Sequence, residues 1–474
     1  MNKCPCTKSS SKGDSFKDVI LAGAKCFVLS LGCPKNRVDS EWVKKELESH
    51  GHSFVNEPEA ADVVFINTCS FIEDAVIESV DAILEALELR RTGAVKGVVV
   101  LGCLPQRFGG ELAESLPEVD LFIGCSELGN IAGALKNNSD EPMVVSRKPS
   151  FLPSGPFVRT PSLGPHTAYV KVSEGCDRTC SFCTVPSIRG PARSRSLHDI
   201  KLEVEGLVDR GVQEVNLVAQ DLTAYGADGR DNGDDLARLL AALGSISGLR
   251  WIRPLYLYPS AVTHRLLEVM ASVDAVVPYL DIPLQHVSDP VLKKMKRGYG
   301  ERTVNRLMER IKKLWPQAFI RATFLVGHPG ESSQAYEELE VFIKRWKLDH
   351  VGIFTFSPEE GTVAAKLPRP PEEIALKRRN RCMEIQREIS REKLQAMQGN
   401  VFSVISDGKS EESDYLYKGR HAGQAPEIDG VVYIAEDRRV PDGAPRLNPG
   451  DWLDVEIVDS GDYDLVGAVV SPPN

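Results

Sequence analysis

The stretch Glu174–Arg195, EGCDRTCSFCTVPSIRGPARSR, constrains this chain more than any other. Cys176, Cys180 and Cys183 stand in a C-x3-C-x2-C array with Phe182 directly before the last cysteine. Three thiolates this close can each take one iron of a cubane and leave the fourth iron without a protein ligand, whereas a closed structural zinc site takes four ligands. An open iron beside a loop is a place where a small molecule can bind and receive an electron. The same spacing also admits a zinc site completed by a distant residue, or three unrelated thiols.

The bulk properties narrow the setting. At 474 residues the size prior gives about three domains, and 42% hydrophobic residues supply material for packed cores. No apolar run approaches the roughly 20 residues that cross a bilayer. Met1–Ala24 carries Lys3, Lys8, Lys12 and Lys17 without an apolar signal segment, so residues 1–24 read as a solvated, disordered extension. Cys4 and Cys6 lie in it as C-P-C. Eleven cysteines in a large chain without a secretion signal argue for metal binding in a reducing cytoplasm rather than for a disulfide framework. The nine histidines show no metal-ligand spacing, and neither a phosphate loop nor a dinucleotide fingerprint is present.

Before the array, apolar runs alternate with helical periodicity. Lys25–Gly32, Ala61–Asn67 and Lys96–Leu101 read as buried strands, with helices over Asn36–His50 and Ser70–Leu89, which implies a parallel α/β sheet. Cys33, Cys69 and Cys103 each follow the carboxyl end of a run. Parallel strands present those ends on one edge, where open α/β sheets bind ligands. The three cysteines are therefore expected to converge on a second open site, unless they are buried thiols capping strands. Cys26 starts a strand, and Cys125 follows what reads as the last one, Leu121–Gly124. Both are expected to be structural.

A proline-rich linker follows (141–165), and then strand and helix alternate six times from Ala168 to Phe356. Gln220-Asp221, Tyr258-Pro259, Gln285-His286 and Gly327–Glu331 come right after strand ends, which is the active rim of a β/α barrel. Six units predict an incomplete barrel, open on one side. A charged helix, Pro370–Gln398, carries Cys382, expected to be a packing residue, and leads to short strands typical of a small antiparallel barrel. Residues 399–474 hold 15 acidic and 6 basic residues, a balance of −9 within a whole-chain charge of −10. An acidic barrel repels phosphate and attracts a basic protein.

The array resembles that of the radical S-adenosylmethionine (SAM) superfamily, and residues 25 to 470 together resemble the methylthiotransferases. Three stretches, SEGCDRTCSFCTVPSIRGPARSR, YLDIPLQHVSDPVLKKMKRG and APEIDGVVYI, resemble the branch that modifies an aspartate of ribosomal protein S12. In the branch acting on tRNA adenosine, an arginine usually stands at Glu174 and a serine at His286. His328 departs from the family, where a phenylalanine is commoner. The resemblance implies a methylthiotransferase domain (25–140), a radical SAM core (166–397) and a TRAM domain (398–470). It implies two [4Fe–4S] clusters, a radical SAM cluster on Cys176, Cys180 and Cys183 and an auxiliary one on Cys33, Cys69 and Cys103. Phe182 and Gln220 would contact SAM, and the run Arg189, Arg193, Arg195 would neutralise a carboxylate of SAM or substrate. An external electron donor and a sulfur source are implied as partners. The alternatives are a tRNA methylthiotransferase and a non-catalytic iron–sulfur scaffold.

Overall fold

The computed structural model describes residues 16–137, 143–145, 149–153, 159–229, 235–413, 415–435 and 447–471. They form two compact units divided at Phe151–Leu152. Cys4 and Cys6 lie outside the described residues.

The first unit is a parallel sheet with helices on both faces. Its strands are β1 (Lys25–Ser30), β2 (Ser53–Phe54), β3 (Val63–Thr68), β4 (Gly97–Gly102), β5 (Leu121–Gly124) and β6 (Met143–Val144), in the order β2-β1-β3-β4-β5-β6. Around them run α1 (Phe16–Ala22), α2 (Pro34–Ser49), α3 (Glu73–Arg91), α4 (Cys103–Ser115) and α5 (Ile131–Asn137). Every residue of β3 and β4 is buried, which is why these strands read as unbroken apolar runs rather than as alternation. Val63, Phe65, Val99 and Leu101 face a core with Val43 and Leu47 of α2. Val64, Ile66, Val98 and Val100 face another with Ile83 and Leu87 of α3.

Two expectations are corrected here. Residues 16–22 are not a solvated extension: they form α1, whose Val19 and Ile20 are buried in the core. Phe16, Val19 and Ile20 share one face of a helix, a pattern too short to stand out beside four lysines. Part of the linker is ordered too, because β6 extends the sheet beyond β5 and the Phe151 ring packs edge-on against Trp42 at 5.5 Å.

The second unit holds the core and the tail barrel. Its core strands are β7 (Thr167–Lys171), β8 (Ser173–Glu174), β9 (Arg193–Ser194), β10 (Glu214–Val218), β11 (Trp251–Pro254), β12 (Tyr279–Gln285), β13 (Phe319–Val326) and β14 (His350–Thr355). The helices are α6 (Val185–Arg189), α7 (Leu197–Val208), α8 (Leu236–Gly244), α9 (His264–Ser272), α10 (Asp289–Lys294), α11 (Glu301–Leu314), α12 (Ser333–Trp346) and α13 (Glu372–Gln395). The six long strands form two parallel sheets of three, β11-β10-β7 and β12-β13-β14, joined through a single bridge between Ile252 and Val276. Pro254 and Pro278 lack the N–H groups that would continue a ladder there. β7 and β14 remain edges, so the barrel is open, as the six units predict.

The tail strands β15 (Val401–Lys409), β16 (Leu416–His421), β17 (Val432–Ala435), β18 (Trp452–Ser460) and β19 (Leu465–Ser471) close into a barrel in the order β15-β16-β17-β19-β18. The pairing is antiparallel except for β17 with β19. A closed ring of five strands cannot alternate direction throughout, so one pair must run parallel.

This small barrel covers the amino-terminal ends of the core strands. His166 bonds Asp407 at 2.8 Å, and Arg253 Nη1 donates to the Ala422 carbonyl at 2.7 Å. Tyr279 donates to Asp429 at 2.6 Å, and the Trp251 and Trp452 rings meet edge-on at 4.7 Å. Arg420 reaches both Glu214, at 2.7 Å, and Asp407. Buried charges of this kind are costly to strip of a partner, typically by 3–5 kcal/mol.

Candidate metal centres

In the first unit, Ser30 pairs with Asn67, Thr68 with Gly102, and Gly102 with Gly124, so the carboxyl ends of β1, β3, β4 and β5 are level. Cys69, Cys103 and Cys125 follow their strands immediately, and Cys33 comes three residues after β1. The loops are tied together by Asn36, fully buried on the first turn of α2. Its Nδ2 donates to the Leu31 carbonyl at 3.1 Å and the Thr68 carbonyl at 2.9 Å. Its Oδ1 accepts from Cys103 Sγ at 3.8 Å, and its carbonyl accepts from Asn67 Nδ2 at 2.8 Å. A Cβ on Gly32 would stand 2.9 Å from Cys69 Sγ, so only glycine lets the β1 loop approach this thiol. The structure thus brings Cys33, Cys69 and Cys103 to one edge. Cys33 caps α2 and Cys103 opens α4, and helix amino termini favour thiolates and anionic groups.

Cys125 differs from its expectation. Its Sγ donates to Cys103 Sγ at 3.8 Å, at the site rather than apart from it. The strand-end rule that singles out the other three selects this cysteine as well. Cys26 and Cys382 are structural: both are fully buried, and burial pushes each thiol up to about 12.

In the second unit the array lies on the loop between β8 and α6, past the carboxyl end of β7. The three sulfurs each accept an N–H. Arg178 N donates to Cys176 and Val185 N to Cys183, both at 3.4 Å, while Arg297 Nη1 donates to Cys180 at 3.2 Å. Such donors fit sulfurs that carry the charge of a cluster. Burial pushes the Cys183 thiol up to about 12 and raises Cys176, so a metal held here would have to displace these protons. A cavity of about 460 Å³ opens beside the cysteines, lined also by Arg178, Lys296 and Thr362. Among the described residues, no three His, Cys, Asp or Glu side chains gather as ligands of a single metal ion. Ligands of a cubane bind different irons and stand farther apart.

The neighbouring rim is polar and firmly held. Glu174 is buried, which disfavours its charge, but Lys171 at 2.5 Å and Arg189 at 3.3 Å keep its carboxyl below the usual range. Gln220 donates to Glu174 at 2.8 Å, and its own Oε1 is buried without accepting a hydrogen bond. Thr184 Oγ1 is likewise buried without a partner. Acceptors left open beside the array fit a polar ligand such as SAM. Phe182 packs against Val291 and Met295 and meets the His328 ring edge-on, at 6.0 Å between centroids. Burial lowers His328 to about 4, so the neutral imidazole takes an aromatic's place against Phe182 and Phe356. The arginine run turns inward instead of offering free cations: Arg189 pairs with Glu174, and Arg195 with Glu203 at 2.5 Å. Alternation along β9 and its flanks hides this, because the charge is neutralised by residues distant in sequence.

Comparison with known proteins agrees with this arrangement. A model described as the radical SAM superfamily matches residues 170–343, one described as a TRAM domain matches 399–470, and Uncharacterized protein family UPF0004 matches 25–124. The protein of Syntrophus aciditrophicus named ribosomal protein uS12 methylthiotransferase RimO is 43% identical over 94% of this chain and 98% of its own length. Its namesake in Desulfotalea psychrophila is 44% identical over 94% of this chain and 99% of its own. The chain belongs to the uS12 methylthiotransferase family. This methylthiotransferase is a radical SAM enzyme and uses SAM and an iron–sulfur cluster. Its fold is shared with the radical SAM methyltransferase TsrM of Kitasatospora setae, solved with cobalamin and a [4Fe–4S] cluster bound. The two are 14% identical, with a TM-score of 0.53 over 72% of this methylthiotransferase and 74% of TsrM. No described helix is long and apolar enough to cross a membrane.

Proposed function

We propose that the chain converts an aspartate of ribosomal protein S12 to its β-methylthio derivative in the cytoplasm, using two [4Fe–4S] clusters. Cys176, Cys180 and Cys183 hold the radical SAM cluster, and Cys33, Cys69 and Cys103 hold the auxiliary one. The domains divide as the sequence suggests, at 141–165 and near 398. The observation that carries this reading is 43% identity to a uS12 methylthiotransferase across nearly the whole of both chains. When bound, the clusters and SAM supply a hydrogen-abstracting radical and a methylated sulfur, from an external electron donor and a sulfur source.

The chain's own residues bind and orient. Glu174, fixed by Lys171 and Arg189, aims Gln220, whose open Oε1 accepts from SAM. Phe182 gives the bound nucleoside an apolar surface. Asn36 holds the three auxiliary cysteine loops in register. The TRAM barrel recruits the basic S12 by charge, but not with all of its acids. Asp407 is spent on Arg420 within the barrel and Asp429 on Arg321 of the core, whereas Asp454 and Glu456 on β18 are exposed. Their sign supports a basic protein over tRNA.

The test is anaerobic incubation of the reconstituted protein with SAM, sulfide, reductant and either S12 or tRNA, read by mass spectrometry. One methylthio group on an S12 aspartate is the expected result. Modification of tRNA instead, or of neither substrate, overturns the reading.

A further inference from the structure

Cys176 and Cys183 receive their N–H donors from the backbone two residues on, whereas Cys180 receives one from a side chain 117 positions away. Arg297 is only 5% exposed and is held on every side. Its Nη2 donates to the Pro283 carbonyl at 2.9 Å, and its Nε donates to the Tyr299 hydroxyl at 3.0 Å. Its guanidinium lies over the Tyr258 ring, 4.4 Å from the centroid, and Tyr258 donates back to the Arg297 carbonyl. The backbone leading to Arg297 also meets the array, where Ser181 N donates to the Met295 carbonyl at 3.0 Å. A planar fork so anchored keeps Nη1 on the sulfur, which a flexible ammonium would not do.

With Cys176, Cys180 and Cys183 as the ligands proposed above, we propose that Arg297 is a positioning residue that raises the reduction potential of the radical SAM cluster through its charged hydrogen bond to Cys180. Reduction adds one negative charge to the cluster. A buried cation donating to a ligand sulfur stabilises the reduced form more than the oxidised one, because the interaction is stronger at low dielectric. Arg297 thus brings the cluster within reach of a mild biological reductant.

The test is a redox titration of the full-length reconstituted protein, followed by electron paramagnetic resonance. The radical SAM cluster is recognised by the change SAM makes to its signal. In R297M and R297Q the midpoint should move to lower potential at wild-type iron content. SAM cleavage driven by reduced flavodoxin should fall roughly ten- to hundredfold, and titanium(III) citrate should restore it. R297K should lie between these variants and the wild type. Wild-type midpoints in both neutral variants overturn the proposal, as does loss of the cluster from both with retention in R297K, which would make Arg297 a structural residue. A wild-type protein with no SAM-responsive cluster would instead refute the ligand assignment.

Discussion

The two groups of cysteines are gathered by opposite routes. Cys176, Cys180 and Cys183 lie on one loop within eight residues, and backbone amides next to them supply two of the N–H donors to sulfur. Cys33, Cys69 and Cys103 come from three loops that only the level ends of parallel strands bring together, with Asn36 as the tie. A local site depends on its own segment, whereas an assembled one depends on the register of the whole sheet. The assembled site should be the easier to lose.

Separating the two functions gives the largest effects. Cys180→Ala should abolish 5′-deoxyadenosine release while iron remains on the first unit. Cys69→Ala should keep that release and lose methylthio product; methylthio product from this variant would break the distinction between the sites. Asn36→Ala sharpens the comparison. It removes the tie but no ligand, and should weaken iron binding at the assembled site roughly 10- to 100-fold, leaving the loop array loaded. Equal iron loss from both sites, measured per cluster by Mössbauer spectroscopy, would show that Asn36 acts on folding in general.

A smaller effect concerns how the tail barrel is held. Burial disfavours the charge of Asp407, but Arg420 and His166 lower its carboxyl from 3.8 to about 2. A depressed folded value means that the contribution is complete above about pH 4 and is lost as pH falls toward 2, by roughly 2 kcal/mol. The near-ultraviolet signal of the Trp251–Trp452 contact should fade in that window and persist above it. Asp407→Asn should remove that pH dependence. An unchanged signal down to pH 2 would place the holding force elsewhere.

The local site was legible because its spacing is itself the chemistry. The assembled site was legible through topology, since buried parallel strands leave continuous apolar runs and their carboxyl ends must align. The same logic covered Cys125, but β6 is too short and polar-flanked to announce itself, so Leu121–Gly124 looked like a margin. Arg297 and Asn36 could not be read in advance. An arginine that bonds a sulfur 117 residues away leaves no periodicity, and an asparagine before a helical run looks like an ordinary cap. The acidic tail was counted correctly as composition, yet composition does not show which acids are already paired. Asp429 is turned toward Arg321 of the core and leaves less charge for a partner than −9 suggests, whereas the Arg420 that pairs with Asp407 is already within that count.

The attachment of the tail barrel beneath the core strands has a consequence for biosynthesis. Glu214 and Arg253 are made early, but Arg420 and the Ala422 carbonyl that complete their bonding leave the ribosome about 170 to 200 residues later, roughly 10 to 40 seconds at ordinary elongation rates. Until then Glu214 and Arg253 have each other, at 3.1 Å, but lack their partners in the tail barrel, so the core's last step of folding waits for translation to finish. A chain cut short before residue 420 would carry Cys33, Cys69, Cys103, Cys176, Cys180 and Cys183 and still lack the barrel that covers its core strand ends, so losing the tail should cost the core stability without removing any of these cysteines.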